Sequence, residues 1–401
     1  MTFNPDAESW SPTTQAVRGG LDRTGFQETS EALFLNSGFV YESAAAAERA
    51  FTGEDERFVY SRYGNPSVAT FQERLRLLEG TEACFATASG MSAVFTALGA
   101  LLAAGDRVVA SRSLFGSCFV ILNEILPRWG VETVFVDGPD SDQWREALSV
   151  PTQAVFFESP SNPMQEIVDI AAVSQLAHAA GAKVVADNVF ATPLLQRCGD
   201  LGADVIVYSG TKHIDGQGRV MGGAILGTKE FIDGPVRNLM RHTGPALSSF
   251  NAWVLTKGLE TMDLRVTRSS STALRLAEWL EQQPGVSWVK YPLLKSHPQY
   301  DLAVKQMKAG GTVLTFELAE TDGRTAKEAA FALLDGLRIV DISNNLGDSK
   351  SLITHPATTT HRAMGPEGRA AIGLSDGVVR LSVGLEDPED LIADFDRALA
   401  A

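Results

Sequence analysis

The sequence is short of cysteine, of positive charge and of long apolar runs, and each shortage removes a class of protein. Only Cys84, Cys118 and Cys198 occur among the 401 residues. An odd, sparse and irregularly spaced set supports neither a disulfide framework nor a zinc site. Lysine and arginine number 34 against 49 aspartates and glutamates, a formal charge of −15. Such a surface repels phosphate backbones and anionic lipid, so neither nucleic acid nor a membrane is expected as a partner. The least polar long stretch, Ala88–Gly105, carries serine, threonine and several glycines. It reads as a buried helix rather than a membrane span. Met1–Thr14 shows no basic segment followed by an apolar one, which is the signature of a secretory leader. A reducing cytoplasm is the expected location. A dinucleotide fingerprint is missing as well, because Ala88-Ser-Gly-Met-Ser-Ala93 lacks the Gly-x-Gly-x-x-Gly spacing.

What is present is material for a large core: 44% of the residues are hydrophobic. A chain of this length predicts more than one domain. Three regions are expected: an extended arm over residues 1–62, a large domain over 63–257, and a smaller α+β domain over 258–401. The arm has weak periodicity. Beyond it, Pro66 suits a first helical turn, Phe71, Leu75 and Leu78 share a face, and Gly80 is a stop. Short apolar runs follow at Ala83–Ala88, Arg107–Ala110, Val131–Val136, Ala154–Glu158, Lys183–Asp187 and Val205–Tyr208. Helical stretches such as Ile170–Ala180 separate most of them. Strand–helix alternation of this kind predicts an α/β fold with a mostly parallel sheet covered on both faces. Past Lys257 the pattern changes. A long helix is expected over Thr267–Gln282, strands over Val286–Tyr291, Gly311–Leu318 and Val378–Val383, a helix over Thr325–Gly336, an irregular stretch over Ser343–Gly365, and an amphipathic end over Asp387–Ala401.

Three features carry chemistry only in combination. The buried run Val205–Tyr208 leads through Ser209, Gly210 and Thr211 to Lys212. A lysine desolvated there is a candidate amine nucleophile, although a lysine just past a strand is more often a surface group. Ser89-Gly90-Met91 lies between a strand and a helix start, where free amides attract a phosphate. Ser209 and Thr211 could add hydroxyl donors to the same anion. Asp187 ends its own apolar strand and needs a partner. A protonated pyridine nitrogen is one candidate and a helix-capping role beside Asn188 and Thr192 is another. In open α/β sheets such strand ends converge on one crevice. A phosphate turn, a pyridine partner and a lysine together describe a pyridoxal-phosphate site.

The motifs Tyr60-Ser-Arg-Tyr-Gly-Asn-Pro66, Ala88-Ser-Gly-Met91, Glu158-Ser-Pro-Ser-Asn-Pro163, Ala186-Asp-Asn188, Ser209-Gly-Thr-Lys-His213 and Thr354-His-Pro-Ala-Thr-Thr-Thr-His361 stand in order along the chain. They resemble the Cys/Met-metabolism family of pyridoxal-phosphate enzymes, from Val17 to Glu386. The resemblance implies the aspartate-aminotransferase-like fold, fold type I. It implies that Lys212 holds pyridoxal 5′-phosphate as a Schiff base and shuttles protons. Asp187 is implied to pair with the ring nitrogen, and Gly90, Met91, Ser209 and Thr211 to hold the phosphate. Phe115 is implied to stack on the ring, Asn162 to contact the ring hydroxyl region, and Arg380 to bind the substrate α-carboxylate. Tyr60 and Arg62 are implied to reach a neighbouring subunit's phosphate, so the resemblance implies a homo-oligomer with shared sites, a tetramer built as a dimer of dimers.

Two departures bear on the substrate. Many relatives have a tyrosine where this chain has Phe115, which stacks but cannot exchange a proton. Asn344-Asn345 stands where cystathionine γ-synthases tend to carry Glu-Ser, and Asn345 is therefore a candidate substrate contact. The implied reaction is γ-replacement: O-succinyl-L-homoserine and sulfide giving L-homocysteine and succinate in methionine biosynthesis. An acetyl ester, cysteine as the nucleophile, or γ-elimination are alternatives within the family. A regulatory protein that binds cofactor without turnover is an alternative of another class. Arg49, Arg57 and Arg112 are candidate partners for a succinyl carboxylate. No metal site is expected.

Overall fold

The structure is a computed structural model that describes residues 3–320 and 323–400. Its central feature is a seven-stranded sheet in the order β1-β7-β6-β5-β4-β2-β3. The strands are β1 (Ala83–Thr87), β2 (Arg107–Ser111), β3 (Glu132–Val136), β4 (Ala154–Glu158), β5 (Lys183–Asp187), β6 (Val205–Ser209) and β7 (Gly223–Gly227). β7 runs antiparallel to both β1 and β6, and the other strand pairs are parallel. Six strands therefore end at one edge, presenting Thr87, Ser111, Val136, Glu158, Asp187 and Ser209. β4 and β7 are buried along their whole length, as expected where helices cover both faces of a sheet.

One layer of core joins Phe71, Leu75 and Leu78 to Val155, Phe157, Ile206 and Leu255. The opposite layer joins Val94, Leu98 and Leu122 to Val108, Phe156 and Val207. Consecutive residues of β4 thus point into different layers, as strand geometry requires. The Pro66–Glu79 helix begins and ends as its sequence predicts. Asn65 caps it by accepting from the Ser67 amide, and Gly80 leaves it at φ 79°.

A second, five-stranded sheet has the order β10-β11-β12-β9-β8, formed by β8 (Val286–Lys290), β9 (Val313–Leu318), β10 (Asp341–Ile342), β11 (Leu352–Thr354) and β12 (Val378–Ser382). The Ala326–Gly336 and Pro388–Leu399 helices pack on it through Leu333, Leu391 and Phe395. Ala401, at the end of the expected amphipathic segment, lies outside the described residues. The Met262–Leu280 helix serves both bodies: Met262 and Val266 belong to the large core, Leu276 and Leu280 to the small one.

The arm is more structured than its periodicity indicates. Pro12–Arg18 and Ala44–Thr52 are helical, and Ala16 joins the large core. Between and after them the chain is extended and leaves large apolar groups in solvent, with Phe26 94% and Val40 88% exposed. No helix among the described residues is long and apolar enough to cross a membrane.

Candidate active site

A cavity of about 260 Å³ opens at the edge where the parallel strands end. Gly90, Met91, Phe115, Asn162, Asp187, Ser209, Thr211, Lys212 and Arg380 all line it. Residues from six separate stretches of sequence thus meet at one place, as the crevice rule predicts.

Lys212 follows β6 by three residues and sits at a kink, with φ −93° and ψ −124°. Its Nζ donates to Asn345 Oδ1 at 2.6 Å. Burial, and then the nearby charge of Arg380, bring the ammonium down to about 8. About a tenth of the side chain is then free amine at pH 7, against well under a thousandth for an ordinary lysine. The loop that brings Asn345 approaches closely: a Cβ on Gly347 would stand 2.7 Å from the His213 amide nitrogen, and the glycine has φ 72°. Glycine is the residue that fits both conditions.

Ser89 caps the Gly90–Leu101 helix by accepting from the Ser92 amide. Helix geometry leaves the amides of Gly90 and Met91, which line the cavity, without an intrahelical acceptor. Gly90 packs so closely on Ser209 that an added Cβ would lie 2.7 Å from the serine Cβ. The Thr211 hydroxyl accepts from the Gly222 amide at 3.2 Å, which ties the lysine turn to the entry of β7.

Asp187 accepts from the Val189 amide at 3.0 Å, and burial raises its carboxyl to about 7. Beside it, Glu158 accepts from the Phe115 amide at 2.7 Å and the Asn162 amide at 3.3 Å. Burial and then the charge of Asp187 push Glu158 well above the usual carboxylate range. Phe115 meets the His361 ring edge to face, centroids 6.5 Å apart. His361 donates from Nε2 to the Asn162 carbonyl at 3.1 Å.

Arg380 lies on β12, 1% exposed. Its Nη1 donates to Asn162 Oδ1 at 3.1 Å, and its Nη2 to the Asn344 and Asn345 carbonyls at 2.9 and 3.2 Å. Its Nε is buried without an acceptor. It has no carboxylate ion-pair partner among the described residues, and burial brings the guanidinium down to about 10. A buried cation held by neutral acceptors is a receptor for an anion.

Tyr60 and Arg62 do not join this cavity. Arg62 lies over the Tyr63 ring, 4.8 Å from its centroid, and donates to the Arg241 carbonyl. Arg49 pairs with Asp55, Arg57 with Glu42 and Arg112 with Asp137, and none of these three arginines lines the cavity. Glu158 is the site group that the reading of motifs passed over. Its signal was the same as that of Asp187: a carboxylate closing a wholly apolar strand.

A family model described as "Cys/Met metabolism PLP-dependent enzyme" matches residues 13–400. The chain is 71% identical over 390 residues to an O-succinylhomoserine sulfhydrylase of Mycobacterium tuberculosis, covering 97% of this chain and 96% of that one. To an O-succinylhomoserine sulfhydrylase of Pseudomonas aeruginosa it is 47% identical, covering 100% and 98%. A solved structure from Campylobacter jejuni carrying N′-pyridoxyl-lysine-5′-monophosphate superposes with a TM-score of 0.92 at 31% identity, covering 98% of this chain and 100% of that chain. The chain belongs to the Cys/Met-metabolism family of pyridoxal-phosphate-dependent enzymes.

Proposed function

We propose that the protein is an O-succinylhomoserine sulfhydrylase, exchanging the succinyl ester of O-succinyl-L-homoserine for sulfide to give L-homocysteine and succinate. The observation that carries this reading is the neutral Asn344 in the lining of the cavity, at the position where the cystathionine γ-synthases tend to carry glutamate. A carboxylate at that place would suit an amine-bearing nucleophile such as cysteine, whereas sulfide has no amine to hold. The 71% identity to a sulfhydrylase supports the same choice.

The residues fit pyridoxal 5′-phosphate. The close approach of Gly90 to Ser209 leaves backbone amides and a hydroxyl at the helix start, a phosphate cradle that a side chain on Gly90 would fill. Asp187 offers a carboxylate to the ring nitrogen, Asn162 an amide to the ring hydroxyl region, and Phe115 a face to the ring. When bound, the cofactor withdraws electrons from the substrate Cα. Arg380 anchors the α-carboxylate through its unpaired Nε–H and so aims the Cα–H bond at Lys212. Lys212 Nζ would take the Cα proton, give it up to the loaded cofactor and, as a free amine again, take one from Cβ. The ester oxygen leaves Cγ with the electrons of the C–O bond, and sulfide forms the C–S bond at the same carbon. Lys212 returns the protons. One flexible base serving adjacent carbons suits a lysine. Phe115 holds no proton to give, so the acid–base work falls to Lys212.

Tyr60 and Arg62 are assigned to the partner's phosphate in a homotetramer of paired dimers, a reading supported by their distance from their own cavity and by the exposed apolar arm. Three free, buried cysteines support a reducing cytoplasm as the compartment. The decisive test supplies the purified protein with O-succinyl- or O-acetylhomoserine and with sulfide or cysteine. Homocysteine from the succinyl ester and sulfide, with little cystathionine from cysteine, is the expected outcome. Rapid 2-oxobutyrate release without a nucleophile would identify a lyase instead.

A further inference from the structure

Glu158 closes β4 as Asp187 closes β5, and the register sets the two residues directly opposite each other. Glu158 is 5% exposed. A Cys118 sulfur, a Glu158 oxygen and an Asp187 oxygen all lie within 4.8 Å of one another. The groups facing Glu158 are thus an acid from the neighbouring strand and a thiol from the Gly116–Val120 helix. Lys212 and Arg380 line the same cavity, but Lys212 is hydrogen-bonded to Asn345 and Arg380 to Asn162, Asn344 and Asn345. The two oxygens of Glu158 accept amides from two different loops, that of Phe115 after β2 and that of Asn162 after β4. Asn162 in turn holds Arg380. One buried carboxyl therefore ties the face offered to the cofactor ring to the anchor for the substrate, and both to the partner of the ring nitrogen.

We infer that Glu158 is a positioning residue that stays protonated in the loaded enzyme, an uncharged acid that fixes Phe115 and Asn162 against an ionised Asp187. The inference rests on the reading that Asp187 pairs with the ring nitrogen. Two carboxylates this close in a dry site do not both ionise readily. A ring cation at Asp187 keeps the charge there and leaves the proton on Glu158. The cluster makes a poor metal site, because burial raises the Cys118 thiol and both acids, and protonated groups do not ligate.

The test compares E158Q and E158A as apoprotein titrated with pyridoxal 5′-phosphate and as holoenzyme. Glutamine keeps one acceptor oxygen and turns an NH2 towards the second amide, whereas alanine removes both acceptors. E158Q, which keeps one of the two acceptors, should bind the cofactor more tightly than E158A, and E158A about tenfold or more weakly than the parent with an altered visible circular dichroism band. The holoenzyme should show a carboxylic-acid C=O band in the infrared that E158Q lacks and E158D does not restore at the same frequency. Unchanged cofactor affinity and dichroism in E158A would overturn the positioning role. A parent holoenzyme without the carboxylic-acid band would overturn the neutral state. Should E158A fail to fold, the infrared comparison of parent and E158Q decides alone. D187N separates the underlying reading: wild-type cofactor affinity and spectrum in that variant would remove the ring-nitrogen pairing whatever Glu158 does.

Discussion

Replacing Arg380 with lysine tests the substrate anchor at a place where charge is kept and geometry is lost. The guanidinium makes hydrogen bonds to Asn162, Asn344 and Asn345 and has its Nε–H unsatisfied. A lysine ammonium cannot hold these acceptors and also offer a planar pair of donors to a carboxylate. A charge-assisted hydrogen bond is worth about 1.5–3 kcal/mol. Losing one of the two that a carboxylate would accept lowers kcat/KM for O-succinylhomoserine by about 10- to 150-fold. The loss should fall mainly on KM, because the contact is made before and during the chemistry alike. A backbone carbonyl left without its donor also costs about 1–3 kcal/mol of stability, so the thermal midpoint is measured beside the kinetics. Cofactor absorbance should persist, since the phosphate cradle and Asp187 are untouched. A kcat/KM within about twofold of the parent would refute the assignment of Arg380 to the α-carboxylate.

Gly90→Ala places a methyl 2.7 Å from Ser209 Cβ. An overpacked contact costs about 1–3 kcal/mol, and the expected result is weaker cofactor binding by equilibrium dialysis. Asn345→Asp sets a carboxylate beside Lys212 Nζ in place of an amide oxygen at 2.6 Å. An opposite charge this near raises the lysine by about one to three pH units, so the pH midpoint for cofactor uptake by the apoprotein should climb from near 8 by that amount. Glu79 is 1% exposed, accepts from the Tyr208 hydroxyl, and is raised by burial from 4.5 to about 7. The folded chain then holds this proton more tightly than the unfolded chain, so stability falls as pH rises from 4.5 towards 7 and levels above it. The loss is at most about 3.5 kcal/mol, and Glu79→Gln should flatten the pH dependence of the thermal midpoint across that window. Parallel slopes for the two proteins would contradict the buried titration.

The six parallel strands were legible because each is a short apolar run between polar turns, and a strand buried on both faces has little else it can be. β7 was not, since Gly223 and Gly227 bracket only three apolar residues and look like a continuation of the turn after Lys212. The Ser249–Glu260 helix also escaped notice, as its serine, asparagine, lysine and glycine interrupt the apolar face. In the arm, Pro12–Arg18 is a helix because its Gln15 and Ala16 are buried, and such support from distant parts of the chain leaves no local period. Lys212, Asp187 and Gly90 could be found because each ends or follows a recognisable element. Glu158 was overlooked although it ends an equally clear strand, because motif reading directs attention to the Asn162 end of the same segment. The contact between Lys212 and Asn345 spans 133 residues and depends on how the second sheet meets the first, which no local pattern encodes.

Lys212, half-buried in the cavity just past the end of β6, is the residue proposed to carry the cofactor. Borohydride reduction of the holoenzyme, proteolysis and mass spectrometry test it most directly. One phosphopyridoxyl adduct per chain is expected, on the peptide containing Lys212, with no adduct and no homocysteine formation in Lys212→Ala. A stoichiometric adduct on another lysine, or substantial sulfhydrylation by Lys212→Ala, would contradict it.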